Sequence, residues 1–119
     1  MRNVQKLAIL SSLFFGTNFS YATNYTGVIT GVGVGASYDS ACTGTDSCAV
    51  VKVSSSHEKA GCNKNSWDFV FDTSTDTGRN TLSVVLAAEI SQREVVIGGT
   101  GLCDMHSITE DLMHVYYQF

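Results

Sequence analysis

Residues 62–103, CNKNSWDFVFDTSTDTGRNTLSVVLAAEISQREVVIGGTGLC, read as strand, helix and strand with a cysteine at either end. Trp67, Phe69 and Phe71 alternate with Asp68, Val70 and Asp72, the period of two that predicts a strand packed on one face. Thr73, Ser74 and Thr75 offer hydroxyls to the free N–H groups of a first helical turn, and Asp76 brings negative charge to the positive end of the helix dipole. Leu82, Val85, Leu86 and Ile90 recur three and four apart, which predicts an amphipathic helix with those four residues on its buried face. Glu94 to Ile97 follows as a short β-branched strand, which Gly98, Gly99 and Gly101 should end before Cys103.

Working outward toward the N-terminus, Cys48 to Val53 is a second strand, and Tyr25 to Ala36 a glycine-rich first one. The first places Val28, Val32 and Val34 on one face and Ile29, Gly31, Gly33 and Gly35 on the other, a pattern that permits a sharp bend. The two strands should form an antiparallel hairpin. The GVGVG run is itself β-like and does not open a helix, so it is not a phosphate-cradling loop. Ser54 to Lys64 is polar and irregular, a loop at the rim of the domain. Toward the C-terminus, Met113, Val115, Tyr117 and Phe119 alternate with Leu112, His114, Tyr116 and Gln118, a last strand with an apolar inner face. The order is therefore β-β-β-α-β-β, mainly β with one helix, the element order of the five-stranded OB-fold barrel. Proline is absent, and no repeat or linker divides the chain.

The first 22 residues carry Arg2 and Lys6, an apolar run from Leu7 to Phe15 and a Ser20-Tyr21-Ala22 site, the layout of an export signal cut after Ala22. The run is too short to span a bilayer, which needs about 20 apolar residues. Residues 23–119 then form a single disulfide-bonded domain, secreted or periplasmic. Loss of Arg2 and Lys6 leaves five basic against eleven acidic residues, a net charge of −6. That balance excludes nucleic acid and anionic membranes as partners, because phosphate binding needs clustered Lys and Arg.

Cys42, Cys48, Cys62 and Cys103 all fall in the exported part, and four cysteines in a short secreted domain predict two disulfides. Three pairings are possible. The favoured one joins Cys42 to Cys48 and Cys62 to Cys103, the second closing a loop of about 40 residues and so constraining the unfolded chain more. The spacings do not match the close cysteine pairs of structural zinc sites.

At this point the layout resembles the B subunits of bacterial AB5 toxins, of the subtilase-cytotoxin and pertussis-like type, in the helix TLSVVLAAEISQ running into the strand EVVIGG within an exported domain of this strand order. The resemblance implies a homo-oligomeric ring that binds cell-surface glycans.

Catalytic chemistry is thinly supplied. His57 beside Glu58, Asp104 and His106 two residues apart, and His114 are the only histidine settings, and none offers three metal ligands. No G-x-S-x-G turn is present to present a serine nucleophile. No cofactor or metal is implied. The loop residues Tyr38, Asp39, His57, Asn63, Asn65, Asp104 and His106, with the outward-facing Tyr116 of the last strand, mix aromatic faces with short polar groups, which suits glycan or protein contacts. The leading expectation is thus a non-catalytic exported binding module. The alternatives are a periplasmic accessory or inhibitor protein bound to an envelope partner, and a small secreted hydrolase using His57 or His106.

Overall fold

The computed structural model describes residues 22–54 and 57–118; the proposed leader residues 1–21 and Phe119 of the last strand lie outside them. Five strands and two helices follow in the order β1 (Asn24–Gly33), α1 (Ala36–Asp39), β2 (Cys48–Val53), β3 (Phe69–Asp72), α2 (Asp76–Ser91), β4 (Glu94–Gly99) and β5 (Glu110–Tyr117). The strands close into a barrel in the order β1-β2-β3-β5-β4, with β4 returning to β1. Every pairing is antiparallel except β3 with β5, which is parallel and joins only Phe69 to Glu110 and Val70 to Asp111. The predicted β1–β2 hairpin is present, with Val32 opposite Val51.

The barrel interior is filled by Ile29, Ala49, Val51, Val53, Phe69, Phe71, Val95 and Ile97, and Val85 and Ala88 of α2 close one end. Thr75 caps α2, its hydroxyl accepting from the Gly78 N–H at 3.0 Å, and Asp76 lies in the first turn as the sequence predicts. The buried face differs from the expected one. Gly78, Leu82, Val85 and Ala88 face the barrel, whereas Leu86 is 40% and Ile90 78% exposed. The helix lies against the barrel end through small residues, and that close approach turns the bulkier Leu86–Ile90 stripe outward.

Two bulges overturn the simple alternation in β1 and β5. A register shift between Ile29 and Gly31 lets both Ile29 and Val32 pack on the core, where strict alternation puts them on opposite faces. In β5 the partner of Gly98 is His114 and that of Gly99 is Leu112, so Leu112 turns inward with Val115 and Tyr117 while Met113, expected inside, is exposed. Three boundaries move as well. β1 ends at Gly33, residues 36–39 form a one-turn helix that the sequence reading lacks, and β4 runs through Gly98 and Gly99 instead of breaking at them. A Cβ on Gly99 would press on the Glu110 carboxyl and the Phe69 ring, so any larger residue there must displace one of them.

β3 is buried on both faces. Phe69 and Phe71 enter the barrel, while Val70 packs outside it with Cys42, Cys48, Val50, Tyr38, Met105 and Trp67. Trp67 therefore leaves the face predicted for it, because it precedes the strand and folds over the outer cluster. Both expected disulfides are present: Cys42 joins Cys48, and Cys62 joins Cys103 across 41 residues of chain. Two disulfides fit an oxidising compartment. Among the described residues no helix is long and apolar enough to cross a membrane.

Candidate functional site

A half-open hollow of about 600 Å³ lies where the start of β1, the β2–β3 loop and the β4–β5 loop meet. Thr23 and Tyr25 form one wall, His57 and Lys59 a second, and the Cys62–Cys103 disulfide with Leu102 a third. The two loops are pinned to each other: Lys64 N–H donates to Ile108 O at 3.0 Å, and Asn65 Nδ2 donates to the buried Thr109 hydroxyl at 2.8 Å. Asp111 closes the β4–β5 loop on itself by accepting from the N–H groups of Asp104 and Met105 at 3.1 Å each.

Behind the hollow sits a layered aromatic stack. The His57 ring lies 3.6 Å from that of Tyr25 at 18°, and Tyr25 in turn lies 5.6 Å from Phe69 at 20°. Beneath it are two carboxylates that the sequence reading did not single out. Asp68, 3% exposed, accepts from Val53 N–H at 2.7 Å and faces Lys59 Nζ at 3.4 Å and His57 Nε2 at 3.5 Å. Glu110, 1% exposed, accepts from the Thr23 hydroxyl at 2.8 Å and from Gly101 N–H at 2.7 Å. The Tyr25 hydroxyl is the one buried side-chain polar atom without a hydrogen-bond partner among the described residues. Burial first, then the nearby Asp68 and Glu110 charges, push its pKa far above the ordinary 10.0, so the phenol stays neutral and keeps its proton to donate.

Of the residues expected to form a site, His57 lines the hollow. Asn63 and Asn65 support it from behind: Asn63 Nδ2 donates to Asp68 O at 2.9 Å, and its Oδ1 accepts from Asn65 N–H at 3.1 Å. His106 joins the same framework through Nδ1, 3.2 Å from Thr109 Oγ1. Tyr38 lies elsewhere, its ring edge-on to Trp67 at 5.7 Å, and Asp39 accepts from Cys48 N–H at 2.9 Å. Asp104 is an exposed residue of the β4–β5 loop whose carbonyl lies 3.3 Å from the Thr43 hydroxyl. Tyr116 is 43% exposed on β5, beside His114. The signal that marks the missed carboxylates is their placement: Asp68 interrupts an otherwise apolar strand entry, and Glu110 begins the last strand.

The arrangement offers an ammonium, an imidazole and backbone groups around one concavity, with Tyr25 in its wall and the phenol hydroxyl buried behind. It can hold a polar ligand against a stiff wall. Among the described residues no three His, Cys, Asp or Glu side chains converge as a metal ion would require. Comparison of the chain with models of known families, with characterised proteins and with solved structures finds no match.

Proposed function

We propose that this chain is an exported, non-catalytic OB-fold binding module that takes a glycan in the hollow beside Tyr25 and His57. The observation that carries the reading is the hollow itself: its volume of about 600 Å³ falls within the range of small-ligand sites, and disulfide-stapled loops wall it. The strand order with parallel β3–β5 supports the fold assignment. OB-folds use their β4–β5 loop, among other surfaces, to bind oligonucleotides or oligosaccharides. The acidic exported chain disfavours the first and leaves the second. Rigid loops reduce the ordering entropy lost on binding. The likeness in layout to AB5 toxin B subunits agrees with a glycan ligand and with a ring of copies.

The test is a glycan array with the exported protein, alongside a panel of envelope proteins. His57→Ala should weaken glycan binding at least tenfold while leaving the fold intact by circular dichroism, because Lys59 still faces Asp68, and Tyr116→Ala should leave binding unchanged. Binding to an envelope protein alone would favour the accessory or inhibitor reading, and turnover abolished by His57→Ala would favour a hydrolase; either result displaces the glycan proposal.

A further inference from the structure

Glu110 is a carboxylate buried to 1% exposure, and among the described residues no Lys, Arg or His lies within ion-pair distance of it. A carboxyl this buried gains from an opposite charge placed beside it. Its two hydrogen bonds come from neutral donors, the Gly101 N–H and the hydroxyl of Thr23. Thr23 directly follows the Ser20-Tyr21-Ala22 cleavage motif. Its backbone is fixed alongside β4, where Gly99 N–H donates to Thr23 O at 2.9 Å, and a Cβ on Gly98 would fall 2.7 Å from that same oxygen. The amino nitrogen of Thr23 is three covalent bonds from the hydroxyl held by Glu110, which keeps it within about 6.5 Å of the carboxylate.

We infer that cutting the leader after Ala22 completes the fold: the new α-ammonium of Thr23 becomes the counter-ion of Glu110 and forms part of the wall of the hollow. The peptide bond to Ala22 leaves a neutral amide at this nitrogen, and hydrolysis replaces it with a cation. The precursor and the exported protein thus differ by one positive charge at the most deeply buried carboxylate described. The inference rests on the export reading, not on the identity of the ligand.

The full chain is expressed for export, and the mass of the mature protein locates its first residue. A start anywhere but Thr23 overturns both the export site and this inference, and is read before any stability measurement. One glycine inserted between Ala22 and Thr23 moves the α-ammonium one residue outward while retaining the Thr23 hydroxyl. That insertion should lower Tm by about 8 °C, the shift that a buried ion pair of moderate strength produces in a domain of this size. Combined with Glu110→Gln, it should lower Tm by less than half as much relative to the single substitution. Equal losses in the two backgrounds, or a Glu110→Gln protein that melts above wild type, overturn the pairing. Should Glu110→Gln fail to fold, reactivity of the α-amine toward an acylating reagent at neutral pH decides the matter: Thr23 should react at least tenfold more slowly than the inserted glycine, and equal rates overturn the inference.

Discussion

Replacing Gly78 by alanine sets two well-defined effects against each other. Gly78 lies in the first turn of α2, and in an exposed helix alanine is favoured over glycine by about 1 kcal/mol. At this position, however, a Cβ would stand 1.6 Å from Asp72 O, 2.8 Å from Asp72 C and 3.1 Å from Thr73 Cα. All three are backbone atoms at the end of β3, so no side chain can swing aside. Reaching ordinary contact needs about 1.8 Å of separation between helix and strand. That movement strains the Thr75 cap and lifts Val85 and Ala88 from the barrel end. Overpacking of tight cores typically costs 1–3 kcal/mol, and an immovable partner puts this site at the upper end. Set against the helix gain of about 1 kcal/mol, the expected net loss is about 2 kcal/mol, lowering Tm by roughly 10 °C. Urea unfolding of the disulfide-intact protein measures it, with Gly61→Ala as the control, since nothing lies within 4 Å of a Cβ there. If Gly78→Ala matched that control or gained stability, the close docking of α2 on β3 would be wrong.

Opening the Cys62–Cys103 bridge with Cys62→Ser should cost about 4 kcal/mol and opening Cys42–Cys48 about 2 kcal/mol in the chain-entropy account; urea midpoints in the reverse order would refute it. Tyr25→Phe should raise stability by about 1 kcal/mol, because it removes a buried hydroxyl that has no partner, and a loss of similar size in urea unfolding would reveal one. Hydrogen bonds from the Ser74 hydroxyl, the Thr45 hydroxyl and the Ser74 N–H hold Asp72 below its ordinary pKa of 3.8. Its stabilising contribution is therefore complete above that pH and is lost as pH falls through the folded value. The acid limb of a Tm–pH curve should be shallower for Asp72→Asn, and an unchanged limb would contradict the assignment.

The strand-helix-strand unit, the cap and both disulfides were legible because each rests on local chemistry: hydroxyls before a helix, β-branched runs, and cysteines bracketing one unit. Faces were less legible wherever backbone irregularity or small side chains decided them. Neither bulge, near Thr30 or at Met113, has a composition that announces it, yet each reverses which residues point inward. The apolar stripe of α2 misled at Leu86 and Ile90, two large apolar residues that stay exposed, while the small Gly78 and Ala88 join Leu82 and Val85 on the barrel side. In the hollow, His57 could be read as a loop residue, but Tyr25, Asp68 and Glu110 could not be joined to it. Their meeting depends on β1, β3 and β5 converging at one end of a closed barrel, a relation among residues as many as 85 positions apart.

The parallel contact of β3 with β5 is two residue pairs long, while every other ladder of the barrel is longer. The Cys62–Cys103 bridge ties the loops that enter these two strands, so it spans this shortest join. Without the bridge, the easiest way for the barrel to yield is to part there. It then becomes a curled sheet with two open edges, β3 and β5, each presenting unpaired backbone groups to the strands of another molecule. The covalent clasp thus protects solubility as well as stability: it keeps the molecule edgeless, and a reducing environment would turn a self-contained barrel into a template for association.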